Sequence, residues 1–238
     1  METDVLFRVG NELTQYIEEN SILRRIVKYV HDVMNNDMAH DFSHIARVLS
    51  NAWEIAQCEG GDLEIIVAAV LLHDIRNLPK DHAKAKSSSS LSARFARQYL
   101  EELGFPQKKI GNVENAIVCH SFSKGLFPKT LEGKILQDAD RLDALGAIGI
   151  ARLFQISGIH SASIYCPVDP FYREERSLDD RKFAVDHFYR KLLKLPNLMQ
   201  TETGKVLARR RAEVLLQYLD VLEREIDPSM EQFLRTLT

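Results

Sequence analysis

Apolar residues recur every three or four positions along most of the chain, which is the spacing of one face of an α-helix. Runs that alternate apolar and polar residues, which indicate β-strands, are few. The apolar periodicity is interrupted at 65–72, where eight consecutive residues are all apolar. A helix that is apolar on every side is typical of the centre of a protein. We therefore predict an all-α fold that contains one buried helix.

Capping residues and glycines set the expected bounds of the helices. Ser, Thr, Asp and Asn favour the start of a helix, whereas Gly favours the position after its end. By these signals Asp62 begins the buried helix, and the serine run 87–90 begins a helix that Gly104 stops. The predicted helices cover about 21–33 with Ser21 as cap, Asp41 or Ser43 to Gly60, 62–72, 87–103, 107–120, 131–156, 178–195 and 201–226.

The 238 residues could form one large domain or two small ones, and we favour a single domain over 1–238. We expect its helical bundle core at about 22–157 and additional C-terminal helices at about 178–226. Residues 158–176 contain two prolines and scattered aromatic residues, which predicts a long irregular connection. Such loops inside compact domains are often lids or interface segments.

The composition argues against several classes of protein. Apolar residues make up 45 % and the formal net charge is −3, which disfavours an electrostatic nucleic-acid binder and a disordered tail. Cys58, Cys119 and Cys166 form no CxxC pair, so we interpret them as reduced thiols. No apolar signal core is visible, and no segment approaches the ~20 apolar residues that span a bilayer. We expect a cytoplasmic protein without a membrane or nucleic-acid partner.

The adjacent residues His73 and Asp74 directly follow the apolar run 65–72. An unpaired buried carboxylate costs several kcal/mol, roughly, so these two residues need partners. The candidate partners are His44 upstream and Asp140 downstream. Two imidazoles and two carboxylates form a mixed nitrogen and oxygen ligand set, which suits a divalent transition metal and leaves positions open for water. This composition is typical of a catalytic metal site.

The segments around these candidate ligands also match a known pattern. They are His40-Asp41-x-x-His44-x-x-Arg47-Val48, Ala69-x-Leu71-Leu72-His73-Asp74-Ile75, Pro79-Lys80, the serine run 87–90, His120-Ser121-Phe122-Ser123, Gln137-Asp138-Ala139-Asp140-Arg141-Leu142-Asp143-Ala144-Leu145-Gly146 and His187-Phe188-Tyr189-x-Lys191-Leu192. Over about 20–226 they resemble the HD-domain superfamily of metal-dependent phosphohydrolases, in particular its bacterial YedJ/YpgQ-type branch. The resemblance implies that His44, His73, Asp74 and Asp140 bind one divalent metal ion. Mn, Mg, Co, Ni, Fe and Zn all remain open.

Proton handling is the point at which the chain departs from part of that superfamily. In a nucleotidase branch, an acid/base Glu lies three residues after the Asp of the His-Asp doublet. In this chain the doublet is His73-Asp74, and the corresponding residue is Asn77, which cannot transfer a proton at neutral pH. We expect Asp74 to orient or deprotonate the water at the metal. His120, at the end of another apolar helix, is a candidate proton donor. A hydrogen bond that orients a metal ligand, or a cap at the C-terminus of its helix, is an equally consistent role for it.

Candidate phosphate-binding residues follow the doublet. Arg76 and Lys80 are cations within seven residues of it, and Ser88 lies in the serine run at a helix N-terminus, where anions bind readily. The alternative for Arg76 and Lys80 is a solvated loop.

The resulting prediction is a metal-dependent phosphohydrolase of a small phosphorylated substrate, which we expect to be a nucleotide. The resemblance implies pyrophosphohydrolysis of nucleoside triphosphates by metal-bound hydroxide. Hydrolysis of a phosphomonoester or a cyclic phosphodiester is the alternative within the same chemistry. Two further alternatives are a non-catalytic metal-dependent nucleotide sensor, which Asn77 favours, and a scaffold with a structural metal. A homodimer stays open.

Overall fold

The computed structural model describes residues 2–34, 42–76, 87–121, 124–174 and 176–226. In these ranges every regular element is a helix, and β-pairing is limited to one isolated bridge between Ser163 and Phe183. The predicted all-α class is confirmed. The helices are α1 (Glu2–Glu19), α2 (Ser21–Met34), α3 (Phe42–Glu59), α4 (Leu63–Leu72), α5 (Ser88–Glu102), α6 (Gln107–His120), α7 (Leu131–Asp143), α8 (Gly146–Ile159), α9 (Asp186–Arg190), a 3₁₀ helix (Leu192–Leu198) and α10 (Glu202–Glu225).

Helix α4 is the buried helix that the apolar run predicts. All of residues 65–72 are buried, and α4 packs against α2, α3, α5 and α6. Asp62 caps it as expected, because its carboxylate accepts hydrogen bonds from the backbone N–H groups of Glu64 and Ile65 at 3.0 and 3.4 Å. The surrounding helices therefore fix the direction in which the C-terminus of α4 delivers His73 and Asp74.

The chain divides into two compact units. The first comprises Met1–Arg141 and Gln200–Gly204, and it contains the candidate metal ligands. The second comprises Leu142–Met199 and Lys205–Thr238. In the second unit Phe188 is fully buried, and its ring stacks on Tyr218 with 5.9 Å between centroids. The single-domain organisation stays a prediction.

Several helix bounds differ from the sequence prediction. Helix α1 lies outside the predicted set, and Asn20 rather than Ser21 caps α2 by accepting from two backbone N–H groups. The predicted helix 131–156 is broken after Asp143, and α8 begins at Gly146, which adopts φ +69° at the break. At the start of α5, Ser87 makes no side-chain capping hydrogen bond.

The predicted helix 178–195 is wrong. The structure has the short α9 and the 3₁₀ helix instead, after irregular chain at 160–174 and 176–185. The cause is a tertiary ion pair, in which the fully buried Asp186 accepts hydrogen bonds from both terminal nitrogens of Arg176 at 2.7 and 2.5 Å. Asp186 also accepts from the backbone N–H of Asp179 at 2.7 Å. This pairing overrides the local helical preference.

No single helix in the described ranges is long and apolar enough to cross a membrane; α7 and α8 taken together pass that test by length and composition alone. The cysteines are all free, as predicted, with Cys58 exposed and Cys119 and Cys166 buried.

Candidate metal centre

The ends of four helices carry the predicted ligands into one place in the first unit. His44 lies in the first turn of α3, and His73 and Asp74 directly follow the last residue of α4. His120 is the last residue of α6, and Asp140 lies in the last turn of α7. The fold therefore brings the four predicted metal ligands and the predicted proton donor together, although they are up to 96 positions apart in the sequence.

Short distances link these side chains. The Nε2 atom of His44 lies 3.5 Å from Asp140 Oδ1 and 3.9 Å from Asp74 Oδ2. The Nε2 atom of His73 lies 3.5 Å from Asp74 Oδ2, whereas that of His120 lies 3.6 Å from Asp74 Oδ1. His44, His73 and Asp140 form one group, and His73, Asp74 and His120 a second, in which the potential ligand atoms all lie within 4.8 Å of one another. The two carboxylate oxygens of Asp74 thus face different histidines.

The site is closed on its histidine side and open on its carboxylate side. The side chains of His73 and His120 are 0 % and 6 % exposed, whereas those of Asp74 and Asp140 are 23 % and 27 % exposed. A small charged ligand can therefore approach the carboxylates from solvent while the imidazoles remain fixed by their surroundings.

The hydrogen bond of His73 fixes which of its nitrogens is available. Its Nδ1 lies 2.7 Å from the carbonyl oxygen of Val70. Since a carbonyl oxygen can only accept, Nδ1 carries the hydrogen and the lone pair of the neutral ring is on Nε2. That Nε2 is buried and has no hydrogen-bond partner among the described residues. Burial lowers the pKa of His73, so the ring stays neutral at pH 7.

His120 is oriented in the same way. Its Nδ1 lies 2.7 Å from the carbonyl oxygen of Ile117, which leaves Nε2 directed at Asp74. Burial alone would lower the pKa of His120, but the hydrogen bond and the charge of Asp74 raise it above its ordinary value. The rings of His73 and His120 meet edge to face with 4.9 Å between centroids.

The environment of Asp74 favours its ionised form. Burial by itself raises the pKa of this carboxyl, but the neighbouring His73 and His120 lower it well below its usual range. Asp74 is therefore a carboxylate at neutral pH, as a metal ligand must be.

The residues present fit a divalent metal ion. Metal-bound histidines typically donate their other ring N–H to a backbone carbonyl, and both His73 and His120 do so. An unpartnered buried imidazole nitrogen beside carboxylate oxygens is a ready lone-pair donor. The donor set of imidazole nitrogen and carboxylate oxygen suits Zn, Fe, Ni, Co or Mn.

The predicted substrate-binding residues receive different placements. Arg76 is exposed, its backbone N–H donates to Ser92 Oγ at 3.1 Å, and its guanidinium carbon lies 4.3 Å from the centroid of the Phe95 ring. Ser88 is buried in the first turn of α5. Lys80 and Asn77 lie outside the described residues.

Sequence reasoning missed the long-range partners of two buried side chains that support the site. Asn51, two helical turns after His44, donates from Nδ2 to the carbonyl oxygen of Ala139 at 3.1 Å and so ties α3 to α7. Asp138 is fully buried and accepts hydrogen bonds from Thr201 N–H and Oγ, each at 2.8 Å. The helical spacing of Asn51 from His44 could have indicated its role. Nothing in the neighbouring sequence indicates that Thr201 is the partner of Asp138.

Comparisons with known proteins agree with this geometry. A family model described as HD domain matches residues 41–145. The uncharacterized protein YpgQ of Bacillus subtilis (strain 168) is 32 % identical over 207 residues, which are 85 % of this chain and 92 % of that protein. The chain belongs to the HD-domain family.

Solved structures of HD-domain proteins are similar over most of their length. An HD-superfamily hydrolase from Bacillus thuringiensis has 32 % identity and a TM-score of 0.67, over 90 % of this chain and 97 % of that one. The crystal structure of Bacillus subtilis YpgQ in complex with ADP has 33 % identity and a TM-score of 0.65, over 85 % of this chain and 94 % of that one. The chain is thus a relative of HD-superfamily hydrolases, and HD domains typically bind a divalent metal.

Proposed function

We propose that this protein is a metal-dependent phosphohydrolase that acts on a nucleotide. The observation that carries the proposal is the convergence of His44, His73, Asp74 and Asp140, with the lone pair of His73 Nε2 directed into the group. Its relationship to HD-superfamily hydrolases supports the reaction class. The ADP in the YpgQ crystal structure supports a nucleotide as substrate.

His44, His73, Asp74 and Asp140 are the proposed metal ligands. When bound, a divalent cation lowers the pKa of water and withdraws charge from a phosphoryl oxygen. The hydrogen bond from His73 Nδ1 to Val70 holds that ring in one orientation before any ligand arrives. Because the side chains of Asp74 and Asp140 are partly exposed to solvent, water and a phosphate group can reach them.

Asp74 and His120 are the proposed residues for proton handling. Asp74 Oδ2 faces His44 and His73 and Oδ1 faces His120, so we assign Oδ1, together with His120, to orienting the attacking water. His120 holds one proton at Nδ1 for Ile117, so Nε2, 3.6 Å from Asp74 Oδ1, is the atom that exchanges a proton with the substrate. We assign it to protonation of the leaving-group oxygen.

Arg76, Lys80 and Ser88 are the proposed substrate-binding residues. The exposed guanidinium of Arg76 lies two positions after a proposed ligand, where a cation offsets the negative charge of a nucleotide phosphate. Ser88 lies at the N-terminus of α5, whose first N–H groups favour an anion. Release of pyrophosphate from a nucleoside triphosphate is the proposed reaction.

The test is a screen of the metal-stripped protein, loaded in turn with Mn²⁺, Mg²⁺, Co²⁺ or Ni²⁺, against nucleoside mono-, di-, tri- and cyclic phosphates. Orthophosphate and pyrophosphate are measured separately. Pyrophosphate from triphosphates is the expected result. Orthophosphate from monophosphates, or opening of cyclic phosphates, would replace the proposed reaction with the alternative phosphomonoesterase or phosphodiesterase.

Variants of the ligands test the site itself. His73→Ala and Asp140→Ala are expected to abolish turnover while the far-ultraviolet circular dichroism stays helical, because the buried core of α2 to α6 remains. A variant that keeps near wild-type activity and full metal content would show that the ligand assignment is wrong.

Asn77, in place of an acid/base Glu, favours a second candidate, a metal-dependent nucleotide sensor. A sensor binds nucleotide in the presence of metal without turnover. Tight metal-dependent binding by calorimetry, with no hydrolysis by any of the metals between about pH 6 and 9, would select the sensor and reject the enzyme.

A further inference from the structure

Gln137 is a fully buried amide that joins the elements carrying His120 and Asp140. It lies on α7 one turn before Asp140. Its Nε2 donates to the carbonyl oxygen of Cys119 at 2.7 Å and to that of Leu126 at 2.9 Å. One side chain therefore ties the end of α6 and the segment after it to α7.

The orientation of this amide is determined by its partners. Both neighbouring groups are carbonyl oxygens, which only accept, so the amide nitrogen must face them. The amide oxygen Oε1 is then buried without a hydrogen-bond partner in the part of the chain that the structure describes. An unpaired buried acceptor costs stability, and such groups in folded proteins call for an explanation.

The explanation lies at the C-terminus of α6. The last four carbonyls of a helix have no partner within the helix. At this end the carbonyl of Ile117 accepts from the Nδ1 of His120, and the carbonyl of Cys119 accepts from Gln137. Side chains thus satisfy two of the terminal carbonyls. The ring of His120 satisfies that of Ile117, and Gln137 satisfies that of Cys119, the residue immediately before His120.

We propose that Gln137 is a positioning residue that holds His120 Nε2 toward Asp74. The inference rests on the role of His120 in the proposed function. Loss of the bond to Cys119 frees the last turn of α6, and the ring of His120 follows it away from Asp74 Oδ1, at present 3.6 Å from Nε2. The metal ligands on α3 and α4 do not depend on this bond.

The test is a double-mutant cycle between Gln137→Met and His120→Ala. Methionine matches the length of glutamine but donates no hydrogen bond. Gln137→Met alone is expected to lower kcat by about 10–100-fold with KM within about twofold. In the His120→Ala background it should lower kcat by less than about threefold, because residues that act as a unit are not additive. Equal losses in both backgrounds would overturn the proposal.

Two further variants separate positioning from general destabilisation. Ile110→Ala removes buried volume at the opposite end of α6 and should lower the melting temperature without lowering kcat. Gln137→Asn keeps the amide but is one methylene shorter, so it should give a smaller loss of kcat than methionine. A fall in kcat for Ile110→Ala that matches the methionine variant at equal loss of stability would assign the effect of Gln137 to stability.

A measurement that does not depend on catalysis tests this inference separately from the proposed function. Long-range ¹H–¹⁵N imidazole spectra of the metal-free protein should show one fixed tautomer for His120, protonated at Nδ1, and averaged ring shifts in Gln137→Met. Unchanged His120 signals in the variant would refute the positioning role. If the wild type bound Mn²⁺ but hydrolysed no nucleotide, the proposed function would fail while these spectra still decided the role of Gln137.

Discussion

Replacing His73 by leucine is expected to leave the metal-free fold nearly as stable as the wild type, or more stable. The wild-type ring is fully buried, with a hydrogen bond from Nδ1 to Val70 at 2.7 Å, and no described group makes a hydrogen bond with Nε2, which lies 3.5 Å from Asp74 Oδ2. A buried unmade hydrogen bond costs about 1–3 kcal/mol, and a made one contributes about 0.5–1.5 kcal/mol. Leucine removes both, so the free energy of unfolding should lie between about 0.5 kcal/mol below and about 2.5 kcal/mol above wild type.

Added metal should reverse that order. A cation that binds the folded state alone stabilises it by about 2.7 kcal/mol at a hundred times its Kd. The wild type should gain this amount, whereas the leucine variant lacks the nitrogen that completes the ligand set and should gain far less. The leucine variant is therefore expected to be the more stable protein in chelator, and the wild type the more stable protein in metal.

The assay is urea and thermal unfolding of both proteins, in EDTA and in a series of Mn²⁺ concentrations. His160→Leu serves as the control, because it replaces an exposed histidine outside the candidate metal centre. Equal stabilisation of wild type and His73→Leu by Mn²⁺ would refute the ligand role of His73. A loss of stability clearly above about 0.5 kcal/mol in EDTA would refute the reasoning about the Nε2 atom that lacks a hydrogen bond.

Further predictions concern substrate binding and the second unit. Lys80→Ala should raise KM for a phosphorylated substrate with little change in kcat, since contacts remote from the scissile bond are alike in ground and transition state; an unchanged KM would leave Lys80 in a solvated loop. Arg176→Met leaves the buried Asp186 uncompensated and should lower the urea-unfolding free energy by about 3–5 kcal/mol; a loss below about 1 kcal/mol contradicts this. Burial raises the pKa of Asp180, but the hydrogen bond from His187 contributes to a net lowering. A carboxyl whose pKa is lowered by folding stabilises the fold at pH values above its ordinary pKa of about 3.9. Asp180→Asn should therefore lower the free energy of unfolding by about 1 kcal/mol at pH 7, and by progressively less as the pH falls below about 3.9. A cost independent of pH would contradict it.

The candidate site was predictable because its signals are local. His73 and Asp74 end an apolar run, and ionisable groups in that position need partners. The cap at Asp62 and the burial of residues 65–72 follow from the same stretch of sequence. Each element needed to present a ligand was therefore readable from a few neighbouring residues, whereas the distances between ligands required the fold.

The supporting contacts were not predictable, because they join residues far apart in the sequence. The amide of Asn51 bonds a carbonyl 88 positions away, and that of Gln137 one that is 18 positions away. A backbone carbonyl is present at every residue, so no residue type marks the acceptor. The same reason explains the wrong helix at 178–195, where the buried pair of Asp186 with Arg176 outweighs the local pattern.

Charge balance connects the metal centre with the proposed substrate. An imidazole that binds a cation through a ring nitrogen is neutral, so the proposed ligands His44, His73, Asp74 and Asp140 would carry the charge of two carboxylates, which one divalent cation offsets. The metal and its ligands together would then be nearly neutral, so they would contribute little positive charge to balance the several negative charges of a nucleotide. That charge has to be met outside the ligand set, and the exposed Arg76, two residues beyond Asp74, is the proposed cation. We therefore expect a change at Arg76 to affect nucleotide binding more than the chemical step, and a change at His73 or Asp74 to affect the chemical step.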